Sequence, residues 1–439
     1  MPDHPSTTTL TSANNTAGFD LDAWLAYIEA LHPKDIEMGL GRVAEVKQRL
    51  NLNTSFPIIT VAGTNGKGST CAMLEYIYHA AGYRVGTYSS PHFLRYSERV
   101  RVACEEISDA DLIAAFQAVE SARQSTQLTY FEYGTLAAMW HFAQAGLDVV
   151  ILEVGLGGRL DAVNAFEPDC AVVTSVDLDH MEFLGNTRES IGAEKAGIFR
   201  ANVPAICGDN LPPQSLIAHA QKVGADLRLI GRDFSFEHIA QTWHYQGKQG
   251  ALKDLPMPAL KGDFQLENAS CVLTVIEALQ ASLPVNQAAI IKGLRSVSLR
   301  GRFQQVAQHP EVILDVAHNP HAAKSLAINL EQTASTGKTI AVFAMLADKD
   351  IAGVIQALST KIDVWYVAEI KHARAASLSA ISGLLLAQLP QAKIQTFESV
   401  TQAYHQACID ADENDRIIAL GSFFTVAEVM RALHGDNQR

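Results

Sequence analysis

Ile58-Ile59-Thr60-Val61-Ala62-Gly63-Thr64-Asn65-Gly66-Lys67-Gly68-Ser69-Thr70 runs from a β-branched apolar segment, through a glycine-rich turn holding one lysine, into a helical pattern. A strand that ends in such a turn and feeds a helix aims backbone N–H groups and the positive end of the helix at one point, which suits a phosphate. Gly63, Gly66 and Gly68 let the backbone curl, Thr64, Asn65 and Ser69 add polar groups, and Lys67 would neutralise the outer phosphate oxygens. A standard phosphate loop has Ser or Thr directly after its lysine. Gly68 stands there instead, so this loop is a variant. The plain alternative is a glycine-rich turn with a surface lysine, but three glycines, a lysine and hydroxyls between strand and helix favour nucleotide binding. Gly155-Leu156-Gly157-Gly158 lacks the G-x-G-x-x-G spacing of a dinucleotide fingerprint and is not read as one.

Outward from this loop, short β-branched runs alternate with longer helical patterns. Strands are expected at Pro57–Ala62, Arg84–Tyr88, Val149–Val154, Ala171–Val176, Val203–Cys207, Val312–Leu314, Thr339–Ala344, Val364–Val367 and Arg416–Leu420. Helices are expected at Ser69–Ala81, Asp109–Ser121, Asn268–Ala281 and Ala322–Glu331, and a first one begins near Leu21 with Asp20 as its cap. The alternation predicts an α/β protein with mainly parallel sheets covered on both faces. Phe234 to Pro258 reads differently, as a meander of short antiparallel strands. Alternation restarts after Leu299-Arg300-Gly301-Arg302. The expected organisation is therefore a polar tail at 1–18, a phosphate-loop domain at 19–297 and a smaller α/β domain at 298–439.

The length of 439 residues allows two or three cores. Apolar residues at 48 % and charged residues at 18 % exclude a disordered, solvating chain. A net charge of −13 disfavours a nucleic-acid or anionic-membrane partner, so anions would be held by a local site. No apolar run approaches the roughly 20 residues that span a bilayer, and no secretory signal opens the chain. The six cysteines are scattered and read as free thiols of a cytoplasmic protein.

In open parallel sheets ligands sit beyond the carboxyl ends of the strands. There the sequence places the phosphate loop, Ser89-Ser90-Pro91-His92, Glu153, Asp177 to His180, and Asp315-Val316-Ala317-His318-Asn319-Pro320. Hydroxyl and carboxylate oxygens suit magnesium, so Ser90 and Glu153 fit it better than the nitrogen of His180. Taken alone, Lys195 reads as an ordinary lysine and Asp348-Lys349-Asp350 as a solvated loop.

Gly63 to Ser69, Tyr88 to His92, Thr129 to Glu132, Leu152 to Asp161, Leu178 to His180, Glu194 to Phe199, Gly301 to Phe303 and Asp315 to Pro320 together resemble the signatures of the folylpolyglutamate synthase family. They are most similar to its bifunctional bacterial branch, which also makes dihydrofolate and belongs with the Mur-type ATP-dependent amide ligases. The resemblance runs from about Phe19 to the C-terminal region. It implies a Mur-ligase-like fold, with a P-loop ATPase domain followed by a smaller Rossmann-like domain.

Carried over position by position, the resemblance implies that Gly63, Thr64, Asn65, Gly66, Lys67, Gly68 and Ser69 hold the phosphates of ATP. Asn268, Arg302 and Asp315 fall at further ATP contacts, and His318 faces the nucleotide. Ser90, Glu153 and His180 match magnesium ligands, against the preference drawn above from ligand chemistry, and two Mg²⁺ sites are implied. Lys195 matches a lysine that is carbamylated. Ile36, Glu37 and Met38, Thr129, Tyr130, Phe131 and Glu132, and Leu160, Asp161 and Ala162 match dihydropteroate-binding segments, where Phe131 could stack on the pterin. Several bifunctional relatives have Asp-Leu-Gly where this chain has Glu37-Met38-Gly39. The implied activity is ligation of L-glutamate to dihydropteroate and to folates, with Lys67, Lys195 and His318 in catalytic roles, by a cytoplasmic monomer.

Three rival readings meet objections within the chain. A peptidoglycan Mur ligase carries a sizeable sugar-nucleotide-binding domain before the phosphate loop, and only 62 residues precede Gly63. A P-loop switch does not explain Asp315 to Pro320. A non-catalytic folate binder would be suggested by loss of Lys67 or Glu153, and both are present.

Overall fold

The computed structural model describes residues 16, 18–34, 36–333 and 335–436; most of the expected tail lies outside them. The phosphate-loop strand β1 (Ile58–Ala62) lies inside an eight-stranded sheet with β2 (Val85–Tyr88), β3 (Val100–Val102), β4 (Glu105–Glu106), β5 (Val149–Glu153), β6 (Cys170–Val173), β7 (Pro204–Cys207) and β8 (Asp226–Leu229). Its order is β4-β3-β2-β5-β1-β6-β7-β8, parallel except where β3 and β4 join as an antiparallel edge. The meander is present as a three-stranded antiparallel sheet of β9 (Ser235–Ile239), β10 (Thr242–Gln246) and β11 (Ala251–Pro256).

β12 (Gln304–Gln308), β13 (Glu311–Leu314), β14 (Thr339–Phe343), β15 (Val364–Ala368), β16 (Lys393–Phe397) and β17 (Arg416–Leu420) form a six-stranded sheet of order β12-β13-β17-β14-β15-β16. Only the β12–β13 pairing is antiparallel.

Both sheets are covered on both faces, as continuous apolar strands require. Along β1, Ile59 and Val61 pack with Met73 and Ile77 of the helix Lys67–Ala80, while Ile58 and Ala62 join the core containing Leu136 and Met139 of the helix Tyr130–Gln144. Along β14 the same alternation sends Ala341 and Phe343 to one core and Ile340 and Val342 to the other. The second of these also takes in Phe93, from the loop after β2, whose ring lies 5.1 Å from that of Phe423. The two sheets are thus tied together beside the strand ends.

The departures from expectation have local causes. β6 stops at Val173, three residues early, because Thr174 and Ser175 turn away to brace the phosphate loop: both hydroxyls donate to the Asn65 carbonyl, at 2.6 and 3.0 Å. The edge strands β8 and β16 carry the mixed sequences Asp226-Leu227-Arg228-Leu229 and Lys393-Ile394-Gln395-Thr396-Phe397, without a continuous apolar run to betray them. No described helix is long and apolar enough to cross a membrane.

Candidate active site

The carboxyl ends of β1, β2, β5 and β6 from one sheet and of β13 and β17 from the other converge on a cavity of about 560 Å³. At its floor the helix Lys67–Ala80 starts behind Gly66, with no side chain capping it, so its first N–H groups stay available to an anion. Gly66 has φ +88°, and a Cβ there would come within 2.4 Å of the Asn268 Oδ1. Only glycine combines that backbone with that approach.

The loop is braced from below. The Thr64 amide donates to the Ser175 carbonyl at 2.8 Å, and the Asn65 amide to the Ser175 hydroxyl at 3.1 Å. Lys67 Nζ donates to the carbonyls of Gly63 and Thr64, at 2.9 and 3.3 Å, so the ammonium already lies over its own loop. Gln265 Nε2 donates to the Ser69 hydroxyl and its Oε1 accepts from Asn268, which places Asn268 beside the loop.

Above the loop, Glu153 ends β5 with 5 % of its surface exposed. Its Oε2 accepts the Ser90 amide at 3.1 Å. Burial raises its pKa, and the charge of Lys67 opposes that rise without cancelling it. His180, with φ +50°, also faces the cavity, and burial pushes its pKa down to about 4, leaving a neutral imidazole. Lys195 is 4 % exposed; burial, then repulsion by Lys67, pushes its pKa down to about 7. Among the described residues no carboxylate pairs with it.

The second sheet contributes Asp315, whose two oxygens accept the amides of Phe303 and Ala317, both at 2.8 Å. The charge of Arg302 lies beside it, with the guanidinium 5.4 Å from the Phe423 ring. His318 Nδ1 meets the Val316 carbonyl at 2.8 Å, which leaves Nε2 to face Asp179 at 3.6 Å.

The structure also brings in Lys349, which the sequence reads as solvated, and contacts that no spacing foretold. Lys349 is not solvated: its side chain is 9 % exposed and its Nζ donates to Asp179 Oδ1 at 2.6 Å, from the second sheet to the first. Against burial, which raises it, contacts with His318, His180 and Lys349 hold the Asp179 carboxyl well below the usual range. Asn65 and Asn319 exchange amide hydrogen bonds at 3.3 and 3.1 Å across the same gap. The position of Asp179, one residue before His180, was the signal available for that pair.

The segments expected to bind pterin form a cluster adjoining the cavity. The Gly39 amide donates to the Leu160 carbonyl at 3.4 Å, and a Cβ on Gly157 would lie 3.7 Å from Met38. Ile36 is exposed, while Phe131 packs beside Tyr88 at 5.8 Å and closes over Gly155. Several polar members are committed to local structure. Thr129 and Glu132 form a capping box at the start of the helix Tyr130–Gln144, and Arg42 donates to both Glu132 oxygens at 3.1 and 2.8 Å. Arg42 also donates to the Glu37 carbonyl, tying the two segments together. Asp161 accepts the Leu156 and Val163 amides at the turn holding Ala162, and burial raises its pKa to about 7.

Comparison with known proteins gives the family. The Mur ligase middle domain matches residues 61–276, and the Mur ligase glutamate ligase domain matches residues 301–423. The chain is 48 % identical to the dihydrofolate synthase/folylpolyglutamate synthase of Escherichia coli K12, over 95 % of this chain and 96 % of that one. Its counterpart in Haemophilus influenzae is 41 % identical, over 93 % and 96 %. Among solved structures, E. coli FolC in complex with DHPP and ADP superposes with a TM-score of 0.90 at 47 % identity, covering 96 % of this chain and 99 % of that one. A bifunctional folylpolyglutamate synthase/dihydrofolate synthase with Mn, AMPPNP and L-glutamate bound gives 0.87 at 48 % identity, covering 95 % and 98 %. The chain belongs to the Mur ligase family and, within it, to the dihydrofolate synthase/folylpolyglutamate synthases.

Proposed function

We propose that this chain is an ATP-dependent amide ligase that joins L-glutamate to dihydropteroate and to the terminal glutamate of folates. The observation that carries the reading is the single cavity in which a phosphate loop and a buried carboxylate from one sheet face Asp315 and His318 from the other. The relatives are named for both ligations, and solved neighbours hold ADP, AMPPNP, Mn and L-glutamate.

The acceptor carboxylate attacks the γ-phosphorus of ATP, releasing ADP and leaving an acyl phosphate. The glutamate amine then displaces phosphate and loses a proton as the amide forms. The free N–H groups of Gly66 to Ser69 and the ammonium of Lys67 stabilise charge on the transferring phosphoryl group. Asn268, Arg302, Asp315 and His318 hold the nucleotide from the sides. Residues 19–297 and 298–439 act as two units whose closure keeps water from the acyl phosphate.

The site suits a divalent metal. Among the described residues no three His, Cys, Asp or Glu side chains gather as a ready-made cage, and magnesium characteristically takes one or two carboxylates plus phosphate oxygens and water. Glu153, a buried carboxylate bonded through one oxygen to an amide, would hold it with Ser90 and His180. When bound, the metal neutralises phosphate charge. Lys195, uncharged in part at neutral pH, is able to take up carbon dioxide as a carbamate, and in that form would support a second metal. The acidic chain works on small molecules, as a cytoplasmic monomer without nucleic-acid or membrane partners.

The deciding experiment measures ADP and phosphate release with ATP, Mg²⁺ and L-glutamate, offering dihydropteroate or tetrahydrofolate as acceptor. Glutamate-dependent turnover with each supports the reading; turnover with neither refutes it.

A further inference from the structure

Arg99 ends the short helical turn Tyr96–Arg99 and lines the cavity beside Tyr130, a member of a segment expected to bind pterin. Its carbonyl accepts the Ser89 amide at 2.9 Å, next to Ser90, whose own amide is bonded to Glu153. The guanidinium lies 5.3 Å from the Tyr96 ring and 5.5 Å from the Tyr130 ring, and Nε donates to His92 Nδ1 at 2.8 Å. Rings and an imidazole nitrogen hold the planar group in place without neutralising it.

The surroundings leave that charge uncompensated. Lys349 is paired with Asp179 and Arg374 with Asp348. Among the described residues no carboxylate pairs with Arg99. Its neighbour Glu98 is taken by the amides of Phe93, Leu94 and Arg95 and by Arg300. A fixed cation with neutral supports, facing a cavity, is arranged for an anion supplied by a ligand.

The two acceptors differ in one anion. Dihydropteroate has a single carboxylate, and that group reacts. The terminal glutamate of a folate reacts through its γ-carboxylate and brings a second, spectator α-carboxylate into the cavity, within one glutamate's length of the phosphate. A site that serves both needs a cation there that only the folate uses. We propose that Arg99 binds this spectator α-carboxylate and sets how well the site serves folates as against dihydropteroate. The inference rests on the ligase reading above.

The test uses the full chain with saturating ATP, Mg²⁺ and L-glutamate. Three acceptors are compared: dihydropteroate, tetrahydrofolate, and the tetrahydrofolate analogue with γ-aminobutyrate in place of glutamate, which lacks only the α-carboxylate. In the unaltered protein the analogue is expected to lose roughly 10- to 100-fold in kcat/KM relative to tetrahydrofolate, the range for a hydrogen bond between charged groups. Arg99→Met is expected to lose a similar factor with tetrahydrofolate, mainly in KM, and at least tenfold less with dihydropteroate. Arg99→Lys recovers part of the loss. Arg99→Met should no longer distinguish the analogue from tetrahydrofolate, since both changes remove the same contact.

Equal losses with both acceptors, or losses that multiply, overturn the proposal. An unaltered protein that ligates the analogue as well as tetrahydrofolate overturns it without any variant, so poor folding of Arg99→Met leaves the idea falsifiable. If the unaltered protein ligates neither natural acceptor, the ligase reading fails first and takes this inference with it. Ligation of both, with no selective effect of Arg99, refutes the inference alone.

Discussion

Glu153 and Glu132 are both buried carboxylates near the carboxyl ends of the first sheet, yet they meet opposite surroundings. Glu132 has the guanidinium of Arg42 on both oxygens and closes a capping box with Thr129. Glu153 has the Ser90 amide and, beyond it, the more distant charges of Lys67, Arg302 and Arg101 to offset the cost of burial, with no cation among the described residues bonded to its oxygens. The contrast extends to the regions around them. In the cavity beside the phosphate loop, helix N–H groups, Lys195 and Glu153 lack the partners that protein side chains could supply. In the adjoining cluster expected to bind pterin, Arg42 takes Glu132 and Glu37, backbone amides take Asp161, and what is left unengaged is an apolar and aromatic surface about Met38 and Phe131. On the proposed reading, the first region recognises charge and the second shape.

The largest effect that would break this comparison is expected at Lys67. Lys67→Ala should lower turnover by about 10³-fold, on the scale of losing a fixed donor to a transition-state charge, with an unchanged melting temperature. Turnover within a few-fold of normal would remove the phosphate loop from the chemistry. Next comes Glu153→Gln, which keeps an oxygen for the Ser90 amide and discards only the charge. A loss of about 100-fold is expected, with half-maximal activity displaced to higher Mg²⁺; a superimposable Mg²⁺ titration would show that Glu153 holds no metal.

Glu132→Gln should act on stability instead. Breaking a buried pair costs about 3–5 kcal/mol, and with Arg42 partly exposed about 2 kcal/mol is expected, read as a shift in the urea midpoint. The Mg²⁺ dependence should stay as it was. A large catalytic loss without a stability change would reverse the roles assigned to the two glutamates. The smallest effect is expected at the bridge between the sheets: Lys349→Met should raise the KM for ATP by about fivefold, by weakening the Asp179 contact that keeps the two walls of the cavity together. No change in KM, with kcat reduced, would place Lys349 in the chemistry instead.

The phosphate loop was legible because its signal is local. Strand, glycine turn and helix are consecutive from Ile58 to Ala80, and Gly63 and Gly66 each answer a demand of that turn. Asp315 to Pro320 was legible for a similar reason, as a strand end followed by a helix with Pro at its start and Asn319 as cap. Lys349 was not, because its partner lies 170 residues away and nothing in Asp348-Lys349-Asp350 tells a solvated lysine from a bridging one. Thr129 to Glu132 and Asp161 could be assigned to a segment by resemblance, but no spacing reveals that Arg42 takes both oxygens of Glu132, or that loop amides take those of Asp161.

The sequence by itself determined the α/β alternation, the antiparallel insertion, the phosphate loop and the family, since each depends on residues close in the chain or on motifs in fixed order. Only the tertiary structure decided which buried charges are left for ligands and which are already satisfied. That is a question of partners brought within about 3 Å by folding, and the energy of a buried charge depends on those partners far more than on its neighbours in sequence.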